Sequence, residues 1–311
     1  MKLAMMFPGQ GSQSVGMMAG FDADAAVHET FAGASRVLGQ DLWALAADGP
    51  VEEINKTVNT QPLMLTADVA IYRAWRAAGG PEPAVMAGHS LGEYAALVAA
   101  GALRLADALP LVRFRAQAMQ EAVPEGEGAM AAVIGLDDEA LAAACAEAAQ
   151  GQVVEPVNFN APAQTVIAGH RQAVERALAL AKTRGAKRGV LLPVSAPFHS
   201  SLLKPAAERL AAYLAGVDVR PSTRPVLHNV DVAAAADAAG VRAALARQAA
   251  TPVRWSDTLR TFAAAGVTDI VECGPGTVLS GLARRTVPEL RVHPGNDGDA
   301  LAAALSAVTG G

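Results

Sequence analysis

Apolar residues fall along the chain in short unbroken runs separated by longer stretches with helical spacing, the pattern of a sheet covered on both faces. Leu3–Phe7 and Ala84–Ala87 read as buried strands, and Val226–Val230 and Asp269–Cys273 repeat the pattern later. Helices are expected over residues 23–38, 51–56, 63–78, 93–100 and 107–122, the last with Asp107 as N-cap and Pro110 in its first turn. Further helices are expected over 203–214, 241–249, 255–265 and 279–285, with an Ala-rich helix beyond Asn296. Strands alternating with helices, without hairpin signals, predict a mostly parallel sheet that takes its ligands at the carboxyl edge.

The polar stretch Pro124–Gly128 interrupts this pattern. After it, strand (129–136), helix (137–149), strands (153–160 and 164–169), helix (172–184) and strand (188–194) follow in the order β-α-β-β-α-β. That order is ferredoxin-like. The expected organisation is therefore α/β: a large domain over 1–125 and 195–311, with a small ferredoxin-like subdomain inserted over 126–194.

Composition narrows the function more than the fold. The 311 residues are 52% hydrophobic and 18% charged, which guarantees a substantial core, and the net charge of −5 gives no nucleic-acid footprint. The most apolar segment, 95–112, carries Arg104 and Asp107, so no membrane span is expected. Cys145 and Cys273 lie far apart without metal-ligand spacing. With an N-terminus too short for a signal sequence, they point to the cytoplasm and to no bound metal.

Chemistry concentrates at Gly88-His89-Ser90-Leu91-Gly92, between an expected strand and an expected helix. Gly-x-Ser-x-Gly in that context makes a sharp turn that presents Ser90 as a nucleophile, so the large domain reads as α/β-hydrolase-like. The loop Pro8-Gly9-Gln10-Gly11 lies at the same sheet edge; its spacing does not suit a phosphate loop. A serine nucleophile needs a base. His28, His170 and His293 lie away from that edge, and His89 should turn away from Ser90. His199 and His228 remain, and the junction loop Ser195–Ser200 favours His199. No aspartate shortly precedes His199, but a backbone carbonyl can hold its Nδ1 proton as well. Arg113 and Arg115 point to different helix faces, so one can be buried and grip a carboxylate; a surface pairing of Arg115 with Glu121 is equally open.

Taken together, these motifs resemble those of the malonyl-CoA:acyl-carrier-protein transacylases and, more broadly, the acyltransferase domains of polyketide synthases. The resemblance runs over residues 3–285. It is carried by Phe7–Gln13, Thr60–Pro62, Gly88–Tyr94, Arg115 with Met119-Gln120, Asn158–Pro162, Pro197–His199, Gln248 ahead of Pro252–Trp255, and Gly274–Gly276. Ala116 and Ala163 stand where that family usually has glycine. The resemblance implies Ser90 as the acylated nucleophile, His199 as its base, and the amides of Gln10 and Leu91 as the oxyanion hole. Arg115 would bind the malonyl carboxylate. The backbone at Gln248 would orient His199, with Asn229 as the alternative. Gln61, His89, Asn160 and Phe198 would line the substrate pocket, Phe198 favouring malonyl over methylmalonyl. It implies malonyl-CoA and phosphopantetheinylated acyl carrier protein as substrates, no cofactor, and a monomer. Lys182, Arg184, Lys187 and Arg188, or Arg284-Arg285, would meet the carrier. A trans-acting acyltransferase of a polyketide pathway and a serine thioesterase are the competing expectations.

Overall fold

The computed structural model describes residues 1–194 and 196–310; Ser195 and Gly311, at the ends of expected segments, lie outside the described residues. The chain starts with β1 (Leu3–Phe7), α1 (Ala25–Leu38), α2 (Leu42–Asp48), α3 (Val51–Ile54) and α4 (Thr57–Ala77). Next come β2 (Val85–Gly88), α5 (Gly92–Ala99) and α6 (Leu105–Glu121). A second group follows: β3 (Gly128–Ile134), α7 (Asp138–Ala149), β4 (Val154–Ala161), β5 (Gln164–His170), α8 (Arg171–Thr183) and β6 (Arg188–Leu191). The rest is α9 (Lys204–Leu214), β7 (Val226–Leu227), α10 (Ala238–Gln248), α11 (Trp255–Ala264), β8 (Asp269–Glu272), α12 (Val278–Thr286), β9 (Arg291–Pro294) and α13 (Gly298–Thr309).

Five strands form a parallel sheet in the order β7-β2-β1-β8-β9. Strand periodicity explains why it needs helices on both faces. Leu3, Met5 and Phe7 point into the core shared with α4 and α5, whereas Ala4 and Met6 meet Trp255, Leu259 and Phe262 on the other face. Every residue of β1 and β2 is buried, so both strands read as continuous apolar runs. The second sheet is antiparallel, in the ferredoxin-like order β4-β5-β3-β6. Ala131, Val133 and Ile167 close its own core against Leu141 and Val174 of the covering helices. A bridge from Asn158 to Val253, between α10 and α11, ties its edge to the large domain, and the cleft lined by Gln10 and His89–Leu91 opens beyond the carboxyl ends of β1 and β2.

Several elements differ from the sequence expectation. α4 begins at Thr57 rather than Leu63 and carries Pro62 inside it, which brings Gln61 onto a buried helix. α6 begins at Leu105, and Asp107 pairs with Arg104 instead of capping. α2 and β9 were not foreseen; α2 is short, and β9 is a partly exposed edge strand too polar to stand out. β7 stops at Leu227, because the chain leaves the sheet at His228.

Candidate active site

β2 ends at Gly88 and α5 begins at Gly92, with Ser90 between them at φ 51°. A Cβ on Gly88 would come within 1.9 Å of the Gly92 backbone, and one on Gly92 within 2.0 Å of the Phe7 carbonyl. Only glycine fits at either corner of this turn. Ser90 is fixed from both sides: its N–H donates to Asn229 Oδ1 at 2.7 Å, and its carbonyl accepts from Gln248 Nε2 at 2.9 Å. Ser90 Oγ lies 2.7 Å from His199 Nε2 and accepts from Arg115 Nη2 at 3.1 Å. His199 also has a left-handed backbone, φ 67°. The two residues expected to react are thus both held in a conformation that costs non-glycine residues of order 1 kcal/mol.

The partner of His199 Nδ1 is the Gln248 carbonyl at 2.8 Å. A carbonyl only accepts, so Nδ1 carries the proton and the Nε2 lone pair faces Ser90. Asn229, the alternative for this task, does not touch His199. Its side chain is spent on the Ser90 N–H and on the Gly88 carbonyl, to which Nδ2 donates at 2.7 Å. Burial, and then the positive charge of Arg115, lower the His199 pKa to about 3. The imidazole is therefore neutral at physiological pH. Two consequences can be measured. On the acid side, acylation of Ser90 should lose no rate as pH falls through the ordinary imidazole value of about 6.5 to about pH 5. The unfolded chain binds a proton here that the folded chain refuses, so this residue's share of stability is full above about 6.5 and is lost as pH falls toward 3. A denaturant series across that range checks the sign.

Arg115 is buried and donates to Gln61 Oε1 and Gln248 Oε1, each at 2.8 Å, as well as to Ser90. Its guanidinium lies 5.4 Å from the Tyr94 ring centroid, and its Nε has no partner among the described residues. The surface alternative does not hold: Glu121 pairs with Arg209, and Arg113 faces the Leu38 carbonyl and Gln40. All of Arg115's hydrogen bonds go to neutral oxygens, and burial lowers its pKa. A buried cation hydrogen-bonded to no anion is a site for one.

The cleft at Ser90 has a volume of about 100 Å³ and is walled by Gln10, Gln61, His89, Leu91, Phe198 and His199, among others. Gly9 packs so tightly on the elbow that a Cβ there would come within 2.5 Å of the His89 carbonyl. The Gln10 side chain turns back to Thr57, and neither its backbone N–H nor that of Leu91 has a partner among the described residues. Two free amides beside one nucleophile suit a developing oxyanion. Asn160 is not on the cleft wall, contrary to expectation. It holds His89 Nε2 at 2.8 Å from behind, and Asn158, two residues earlier on β4, lines the wall instead. β4 shifts register between Pro156 and Asn158 and again between Phe159 and Ala161, so these two side chains do not share a face as strict alternation would have them.

Met119, Met130, Leu192 and Val194 also line the cleft and were not foreseen, because apolar residues carry no chemical signature. Glu93 was missed as well. It is fully buried in α5 and accepts from His228 Nδ1 at 2.7 Å. A carboxylate at the start of an otherwise apolar helix was the available signal. The other histidines serve elsewhere: His28 meets the Asp22 carbonyl, His170 the Val153 N–H and His293 Asp269. Both cysteines are buried and unpaired. Among the described residues, no His, Cys, Asp and Glu side chains gather as a metal set, and no helix is long and apolar enough to cross a membrane.

Comparison with known proteins agrees with this geometry. The family model of the acyl transferase domain matches residues 5–303. The malonyl CoA-acyl carrier protein transacylase of Salmonella typhimurium is 56% identical over 306 residues, 98% of this chain and 99% of that protein. The solved acyl-carrier-protein S-malonyltransferase of Burkholderia pseudomallei superposes with a TM-score of 0.97 at 58% identity, covering 98% of this chain and 100% of its own. A malonyl-transacylase solved in complex with its type II PKS acyl-carrier protein matches with a TM-score of 0.97 at 52% identity, over 99% of this chain and 100% of that one.

Proposed function

Because the chain belongs to the acyl transferase domain family, we propose that it transfers a malonyl group from malonyl-CoA to the phosphopantetheine thiol of an acyl carrier protein, through a malonyl ester on Ser90. The reading rests above all on Arg115, a buried guanidinium in contact with the nucleophile and bonded only to neutral oxygens. An acyl group with a second carboxylate, one methylene beyond its carbonyl, supplies the missing anion.

In the first half-reaction His199 Nε2 takes the Ser90 proton as Oγ attacks the thioester carbonyl. The Gln10 and Leu91 amides stabilise the resulting oxyanion, a contribution of roughly 3–4 kcal/mol per donor in comparable sites. The C–S bond then breaks, and the proton held by His199 goes to the departing CoA thiolate. In the second half the carrier thiol gives its proton to His199 and attacks the ester, and Ser90 leaves with that proton. Ping-pong kinetics follow. Acyl and proton transfers need no prosthetic group. We assign the reaction to the cytoplasm, in keeping with two buried, unpaired thiols.

Gln248→Ala separates main chain from side chain. The carbonyl that orients His199 remains, while the contacts to Arg115, Ser90 and Glu93 go. The expected loss in kcat/KM is about 10- to 100-fold, the scale of three buried hydrogen bonds at roughly 0.5–1 kcal/mol each, with the base still functional in the pH profile. The overall reading is tested by incubation with malonyl-CoA, then with holo carrier protein, following both acyl states by intact mass. Malonate released as fast without carrier as with it would overturn transfer in favour of hydrolysis.

Fatty-acid synthesis is the pathway we assign. The relative solved with its type II PKS carrier favours a second reading, service to a polyketide carrier. Relative kcat/KM for carriers of the two kinds decides between them. The cationic patches are the proposed contact for an acidic carrier, although Arg184 is already paired with Glu147 and Arg285 with Gln164.

A further inference from the structure

Glu93 stands at the start of α5, where every residue from Gly92 to Leu97 is buried. A carboxylate there is costly unless its lone pairs are filled. His228 Nδ1 lies at 2.7 Å, and the Asn229 N–H and Gln248 Nε2 donate at 2.9 Å each. Two of these donors belong to the residues that hold the reacting groups. Asn229 fixes the Ser90 N–H and the Gly88 carbonyl. Gln248 fixes the Ser90 carbonyl and Arg115 with its side chain, and His199 with its main chain. The other donor is an imidazole, and it alone among them can carry charge.

We propose that Glu93 and His228 form a buried carboxylate–imidazolium pair that positions the nucleophile, the base and the Arg115 guanidinium together. His228 holds one Glu93 oxygen, and Glu93 sets the orientation of Asn229 and Gln248 through the other. Both are positioning residues, since neither touches Ser90 Oγ. The inference deepens the acyl-transfer reading and rests on it.

The charges around the ring support this pairing. His228 meets Glu93 from α5, Asp231 from its own loop and Arg247 from α10. The polar cleft on its other side adds Arg220, Arg224 and Asp237, of which Arg220 is paired with Asp218 and Arg224 with Glu82. Burial works against the charged ring, but the hydrogen bond and charge of Glu93, helped by Asp231 against Arg247, hold its pKa above the ordinary value. The pair is therefore complete below the usual imidazole value of about 6.5 and is lost as pH rises through the raised folded value.

The test is the rate of Ser90 acylation by malonyl-CoA, measured by rapid quench and intact mass against pH, in wild type, His228→Asn and Glu93→Gln. Wild type should slow several-fold as the ring deprotonates. His228→Asn keeps a donor without the charge, so it should run at the wild type's alkaline rate across the range, with KM for malonyl-CoA moving less than the rate constant. Glu93→Gln should be slower at every pH, on the order of tenfold for a lost charged hydrogen bond. Proton NMR of the wild type reads the ring itself: His228 should titrate above the ordinary imidazole value of about 6.5, where the rate inflects. A His228 that titrates at or below about 6.5, or superimposable profiles for wild type and His228→Asn, would overturn the ion pair. Failure of the wild type to form any malonyl adduct would instead overturn the transfer reading itself.

Discussion

Ser90→Ala is expected to lose the malonyl adduct entirely and to lower carrier malonylation by on the order of 10⁴-fold or more, since removing the nucleophile of such a unit disables its base as well. Among the described residues nothing nearby can replace the hydroxyl. Its closest polar neighbours are His199 Nε2, held for proton transfer by the Gln248 carbonyl, and an Arg115 nitrogen that cannot attack. The fold should survive, because the Ser90 backbone is anchored through Asn229 and Gln248 and not through Oγ. Ser90→Gly should go further and raise the melting temperature by a few degrees, worth roughly 1 kcal/mol, since the φ of 51° that strains serine suits glycine. Intact mass after malonyl-CoA, together with a thermal melt, checks both variants. A stable malonyl adduct on Ser90→Ala would show that the acyl group is carried elsewhere.

The same backbone angle shows why the centre of the site was legible in sequence. Gly88 and Gly92 are required by contacts under 2.1 Å from a hypothetical Cβ, so the chemistry and the turn are written in the same five residues. The buried sheet was legible for a similar reason: β1 and β2 are apolar on both faces because helices cover both. What could not be read were interactions set by tertiary approach. Asn229 was a candidate partner for His199, but which of its neighbours an amide meets depends on how β7 ends, and β7 ends two residues earlier. Asn160 was expected on the cleft wall, but Asn158 stands there and Asn160 holds His89, on a strand whose register shifts around both. β9 draws its stability from pairing to β8 and not from strong local preference, whereas α2 is rich in Leu and Ala and capped by Asp41 but only seven residues long. Glu93 and His228 lie 135 residues apart, and only the fold shows that they meet.

Arg115→Ala is expected to lower kcat/KM for malonyl-CoA by about 10²- to 10³-fold, the 3–4 kcal/mol scale of a buried charge pair broken from one side. Acetyl-CoA should lose far less, and can gain. In the wild type an acetyl group fills the cleft while leaving the guanidinium buried without an anion, a cost that penalises every uncharged acyl chain. Deleting the guanidinium removes both the grip on malonyl and the penalty on acetyl, so the ratio of the two kcat/KM values should collapse. Arg115→Lys should fall between them, since an ammonium keeps the charge but cannot reproduce the fork that now reaches Gln61, Gln248 and Ser90 together. A second readout separates this effect from misfolding. The Arg115 charge is one of the causes that hold the His199 pKa down, so its removal should let that value rise and move the acid limb of acylation toward neutral pH, most of the depression remaining because burial is its larger cause. A folded Arg115→Ala protein with unchanged malonyl preference and an unmoved acid limb would mean that the malonyl carboxylate is bound elsewhere in the cleft.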